Sequence, residues 1–177
     1  PNLTIFRPLA LLSNLQNGMV SYQLNPNVAG NLEESLKDAL AIYSSAQEFL
    51  RNYDSHLTWG YSNNEERGRP NIVFKIAGGY PASIHITREL NSLGVGTNNT
   101  VTYTVSQEVT LIIAAMEGMA AALKKGISVT QVYETNMGGR LESHLRDSEA
   151  QRLLNEALGK AKEGGKSLEK LARTLGA

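Results

Sequence analysis

The sequence predicts an α/β fold built on a parallel sheet. Two observations carry this prediction. Short apolar runs of strand length alternate with longer segments of helical periodicity, and no two of the runs are joined by a hairpin signal. Each return therefore needs a crossover helix. The 177-residue length suits one domain with a real core, taken here as residues 1–177.

The elements follow in order. Met19-Val20-Ser21-Tyr22-Gln23-Leu24 reads as the first strand, stopped by Asn25-Pro26. Asn31 opens a helix with Glu34 three residues on, a capping-box spacing. Leu32, Leu36, Ala39, Tyr43, Ala46 and Leu50 then share one helical face. The polar stretch 51–69 is long for a connection in a compact domain and reads as a loop insertion or lid, with Trp59 and Tyr61 placed to shield a ligand or, the favoured reading, to pack back on the domain. Asn71 to Ala77 is the second strand, ended by Gly78-Gly79. Pro81 suits the first turn of a helix running to about Leu93.

Thr100 to Thr104, β-branched and aromatic, reads as the third strand. Ser106 is placed to cap the next helix, whose inner face would be Val109, Ile112, Met116, Met119 and Leu123. Val129 to Glu134 is the fourth strand, closed by Gly138-Gly139-Arg140. From Leu141 the chain is helical in character, with a break at Gly164-Gly165 and a solvated charged face from Asn155 to Lys170. Four such units leave two open sheet edges, or they form half of an eight-stranded barrel. The pattern leaves both open.

Composition narrows the function classes. Seventeen basic residues balance seventeen acidic ones, so no global field draws the chain to nucleic acid or an anionic membrane. The absence of cysteine excludes disulfides, thiolate metal sites and cysteine nucleophiles. His56, His85 and His144 have no metal-site spacing, and no metal site is expected. No stretch has the roughly 20 uninterrupted apolar residues of a membrane span, and no signal pattern opens the chain. A cytoplasmic protein is the default expectation.

The strongest local anomaly is Lys75, a lysine in the middle of an apolar strand. In an inward-facing position its ammonium loses hydration, and a neutral amine attacks carbonyls to form a Schiff base. The competing reading is a lysine whose stem packs and whose head snorkels to the strand end. Asn98 and Thr100 are two apart and share a strand face, so both can meet one ligand; otherwise they are a turn residue and a solvent-facing threonine. Arg140 follows a double glycine, where a guanidinium and free backbone amides can hold a phosphate, or it is an ordinary loop arginine.

These pieces also resemble a known family. Arg69-Pro70-Asn71-Ile72-Val73-Phe74-Lys75-Ile76-Ala77 resembles the strand of transaldolases that carries the Schiff-base lysine. Leu93 to Thr100 resembles the family's next strand, with its Asn-x-Thr pair, and the match runs on through Tyr103-Thr104-Val105-Ser106-Gln107. Val20-Ser21-Tyr22-Gln23-Leu24-Asn25-Pro26 is similar to the Val-Ser-x-Glu-Val-Asp-Pro strand. Thr135 to Arg140 falls where the family has a segment leading to a phosphate-binding arginine. Together they cover roughly residues 18–142.

The resemblance implies a (β/α)8 TIM-barrel fold, of which this chain supplies about four central βα units. It implies a class I aldolase acting on a ketose phosphate or dihydroxyacetone, with no metal and no organic cofactor. By position, Lys75 forms the imine, Asn98 binds the carbon skeleton and Thr100 orients the proton-transfer water. Thr135 keeps a hydroxyl near the substrate, and Arg140 holds the phosphate. Gln23 takes the place of a glutamate that handles protons through water; glutamine can orient water but cannot take up a proton. Glutamine here is similar to the fructose-6-phosphate aldolase branch, while Met137 replaces that branch's aromatic residue. The family's first two strands, which bring an aspartate general acid and an asparagine, have no counterpart before Val20. None of Glu134, Glu142 and Asp147 has an argument as replacement. A lone half barrel exposes its edges, so a homo-oligomer or completion by missing barrel segments is expected. The alternatives are a non-catalytic sugar-phosphate-binding or assembly subunit, and a plain α/β scaffold.

Overall fold

The computed structural model describes residues 1–57, 66–160, 170 and 173. The chain forms two compact units, Pro1–Asn136 and Met137–Ala177. The first begins with helix α1 (Asn2–Leu12) and then follows a strand–helix rhythm: β1 (Val20–Gln23), α2 (Leu32–Leu57), β2 (Ile72–Ala77), α3 (Ala82–Ser92), β3 (Gly96–Thr102), α4 (Val105–Lys124) and β4 (Tyr133–Asn136). The four strands are parallel and lie in the order β1-β2-β3-β4. Consecutive order without a reversal is the winding of a barrel rather than of a doubly wound sheet. The fold is a partial TIM-barrel type, as expected.

The core lies between the sheet and α2 and α3. Ile72, Phe74 and Ile76 of β2 meet Leu24, Ala39, Ile86, Leu90 and Val95, with Leu32, Leu36, Tyr43 and Ala46 packed around them. That is the predicted face of α2, whose start Asn31 caps by accepting from the Glu34 amide at 3.2 Å. Because strand side chains alternate, Val73, Lys75 and Ala77 point to the opposite face of the sheet.

Five sequence expectations are corrected. Helix α1 had no expectation, since Pro8 within it obscures the helical signal. Helix α2 runs to Leu57 and takes the first seven residues of the stretch read as a loop insertion over 51–69. Trp59, Tyr61 and the Gly164-Gly165 break lie outside the described residues. Strand β3 begins at Gly96, four residues before Thr100, and the cap of α4 is Thr104 rather than Ser106. Thr104 Oγ1 accepts from the Gln107 amide while Gln107 Oε1 accepts from the Thr104 amide, both at 3.2 Å. Strand β4 is Tyr133–Asn136 rather than Val129–Glu134.

The face of α4 is the fifth. Val109, Ile112, Met116 and Leu123 are exposed, and the buried residues are Leu111, Ala114, Ala115, Gly118 and Ala122. The reason is steric. A Cβ on Gly118 would sit 2.4 Å from the Arg88 carbonyl oxygen, so α4 and α3 approach closer than bulky side chains allow. Periodicity finds an apolar stripe; it does not say which of two stripes fits its neighbour. Gly118→Ala is accordingly expected to cost about 1–3 kcal/mol by overpacking, read from the urea midpoint. Helix α4 is also long and apolar enough, by length and composition, to cross a membrane. Its small-residue face packs against α3, and 28% of the apolar stretch is buried.

At the N-terminal ends of the strands, Arg69 gathers three segments. Its Nη2 donates to the carbonyls of Gly94 (2.8 Å) and Ser128 (2.6 Å), and its Nη1 pairs with Glu66 at 3.1 Å. The second unit contains α5 (Gly138–Lys160), a helix laced by Arg152 with Glu149 and Glu156.

Candidate active site

Lys75 lies on the sheet face away from the helices, half-buried. Among the described residues its ammonium has no hydrogen-bonded or ionic partner. The register brings Gln23 of β1 and Asn98 of β3 level with it on either side, and Tyr133 of β4 level with Asn98. Register partners in a parallel pair face the same way, so Gln23, Lys75 and Asn98 form one row.

Asn98 is held from two sides. Its Oδ1 accepts from Thr135 Oγ1 at 2.7 Å, and its Nδ2 donates to Ser21 Oγ at 3.3 Å. Strands β1 and β3 are two sheet spacings apart, about 9–10 Å in a flat sheet. Two such short side chains meet across β2 only because the sheet curls with this face concave. An amide has two N–H donors and two acceptor lone pairs, so Asn98 keeps one of each for a ligand.

Gln23 turns its Nε2 to the backbone, donating to the carbonyls of Leu24 (3.1 Å) and Lys75 (3.2 Å). A glutamate there would set carboxylate oxygens against those carbonyls, so the local geometry suits the amide. Thr100 is level with Ala77 on the same face and is buried, at 3% exposure. Its carbonyl accepts from the Gly78 amide at 2.6 Å. Asn98, two residues before the strand start expected at Thr100, lies within β3.

Lys75, Gln23, Asn98, Thr100 and Thr135 thus lie in one compact unit. Arg140 belongs to the second, exposed on the first turn of α5. Ser21 was missed, although its spacing of two from Gln23 could have found it.

The other face of β3 carries a buried polar chain that the sequence also missed. Thr87 of α3 donates to Asn99 Oδ1 at 2.8 Å, and Asn99 Nδ2 donates to Glu134 Oε1 at 2.7 Å. Glu134 Oε2 is buried without a hydrogen-bond partner among the described residues. Burial pushes the Glu134 carboxyl up from its ordinary value; the Asn99 bond opposes this, and Glu108 adds to it. Folding then takes up a proton between the ordinary and the raised value. That contribution to stability is complete below the ordinary carboxylate range and is lost as pH rises through the raised one. The urea midpoint of wild type is expected to fall across this window relative to Glu134→Gln.

No group of three or more His, Asp or Glu side chains that could hold a metal occurs among the described residues. The class defined by fold and site is therefore a parallel βα-repeat protein of barrel winding, with a lysine between amide side chains on its concave face. Sequence comparison names the family. The model for transaldolase and fructose-6-phosphate aldolase matches residues 2–175, and the chain belongs to that family. It is 23% identical over 154 residues to Transaldolase 2 of Nostoc sp., a match covering 80% of this chain and 34% of that protein. The chain thus spans about a third of the length of that relative.

Proposed function

We propose that this chain is the lysine-bearing part of a class I aldolase of transaldolase type, acting on a ketose phosphate or dihydroxyacetone in the cytoplasm. The observation that carries the reading is Lys75 itself: a lysine without a partner among the described residues, on the concave face, level with Gln23 and Asn98. Family membership supports the same chemistry.

In this reading the neutral Nζ of Lys75 attacks the substrate carbonyl carbon, and the resulting carbinolamine loses water to give the imine. The protonated imine then accepts the electron pair of the bond between its α and β carbons as that bond breaks, leaving an enamine. The β-hydroxyl gives its proton to water and becomes an aldehyde; bond formation is the reverse. Asn98, fixed by Ser21 and Thr135, hydrogen-bonds the substrate's hydroxyls through its remaining donor and acceptor. Thr100 and Gln23 orient the water that carries protons, and Arg140 holds the phosphate. Neither metal nor organic cofactor is required.

The strands β1 and β4 end the sheet, and α1 exposes Ile5, Phe6, Leu9 and Leu12. These features support completion by further barrel segments or by a second copy.

One observation favours a non-catalytic sugar-phosphate-binding subunit instead. The four strands place no carboxylate on the face of Lys75, and Gln23 cannot serve as an acid or base. Borohydride trapping separates the readings. With dihydroxyacetone or fructose 6-phosphate, peptide mass spectrometry should find a reduced adduct on the peptide containing Lys75. A folded sample that gives no adduct removes the imine and leaves the binding reading.

A further inference from the structure

We propose that Glu134, acting through Asn99, is a positioning residue that sets the geometry of the Asn98–Thr135 pair from the opposite face of the sheet. The inference rests on the reading of Asn98 as a ligand-binding amide. It starts from an irregularity in the backbone. Strands β3 and β4 pair at Asn98 with Tyr133 and at Asn99 with Glu134, and next only at Thr102 with Asn136, with a register shift between. Val101, inside that gap, has a φ of +61°, a conformation costly for a β-branched residue. The gap includes Thr100 on β3 and Thr135 on β4. Regular backbone pairing therefore lapses where the site residues stand, and side chains hold the two strands together.

There are two such links, one on each face. In front, Thr135 donates to Asn98. Behind, Glu134 accepts from Asn99, whose other amide atom is tied to Thr87 of α3. Asn99 is fully buried, so the rear link is anchored by buried groups, while the front link is tied to β1 by the longer 3.3 Å bond from Asn98 to Ser21. A neutral acid suits this place better than a carboxylate. Among the described residues Glu134 Oε2 is buried without a hydrogen-bond partner, and a charged group acting on it, Glu108 in the first turn of α4, is of like sign. Thr87, facing the network from α3, carries no charge. Ionisation of Glu134 sets burial and Glu108 against its bond to Asn99, so the geometry of the rear link changes with its charge.

The test uses the full chain with Glu134→Gln and Glu134→Leu, and two readouts. The first is the dihydroxyacetone concentration giving half-maximal borohydride trapping at Lys75. Glu134→Gln keeps the acceptor for Asn99 and should stay near wild type. Glu134→Leu should raise the half-saturating concentration about tenfold, the scale of one lost hydrogen bond to a buried group. The second is the side-chain amide resonance of Asn98, which reads positioning without any chemistry. In wild type it should move with pH in step with Asn99 as Glu134 ionises, and in Glu134→Gln it should stay flat. This arm stands even where Glu134→Leu does not fold. An Asn98 resonance that stays still while Asn99 titrates overturns the inference, as does unchanged half-saturation in a folded Glu134→Leu. Wild type that traps nothing at Lys75 counts against the aldolase reading instead, and the resonances then decide the positioning on their own.

Discussion

Asp54→Ala is expected to destabilise the first unit by about 3–5 kcal/mol, the usual cost of leaving one partner of a buried ion pair uncompensated. Arg7 and Asp54 are both at 0% exposure. The guanidinium meets the carboxylate side-on, with Nε to Oδ1 at 2.8 Å and Nη2 to Oδ2 at 2.5 Å. Its remaining donors reach the carbonyls of Arg69 (2.7 Å) and Glu66 (3.0 Å), while Asp54 Oδ2 also accepts from the Gly68 amide at 2.6 Å. Asp54 stands in the last turn of α2, where the helix dipole disfavours an anion. Arg7 is what makes it tolerable there. Removing the carboxylate leaves a buried guanidinium bonded to the Arg69 and Glu66 carbonyls, with no counter-charge among those partners. The double replacement Arg7→Met with Asp54→Leu should recover much of the loss, because an apolar pair of similar volume needs no compensation. Urea midpoints of the three variants test this. An Asp54→Ala midpoint equal to wild type would mean that water reaches the pair.

None of that pair was legible in the sequence. Arg7 and Asp54 are 47 residues apart, on a helix whose internal proline conceals it and at the end of a helix that reads as a loop. Long-range polar pairing leaves no periodic trace. What was legible has a local cause. Strand β2 announced itself because both of its faces are largely apolar, and Lys75 stood out for the same reason. The face of α2 was legible because a single stripe of Leu, Ala and Tyr is buried. The face of α4 was not, since a stripe of small residues packs better against α3 than the bulkier stripe beside it. The row of Gln23, Lys75 and Asn98 followed from strand alternation once the strands were in register. Glu134 and Asn99 required the structure: strand polarity alone does not tell a buried hydrogen-bonded pair from a solvent-facing one.

Lys75→Met should abolish borohydride trapping altogether, and it should do so without loss of stability. The two halves of this expectation are needed together. A nucleophilic amine cannot be replaced by a thioether, so an imine that forms at this residue disappears completely rather than by degrees. The fold has no matching reason to suffer. Lys75 makes no hydrogen bond or ion pair among the described residues, its neighbours Phe74 and Ile76 are buried on the far face, and methionine keeps most of the lysine stem. Half-burial of an unpartnered ammonium is a local cost, so the variant should unfold at an equal or higher urea concentration than wild type. A residue whose removal ends the chemistry while leaving or raising stability is one kept for function at the fold's expense. The scaffold reading predicts the reverse pairing: no adduct in wild type to lose, and a lysine stem whose packing matters. An adduct that persists in Lys75→Met would move the imine to another lysine, and the row on the concave face would then be a binding surface without its nucleophile.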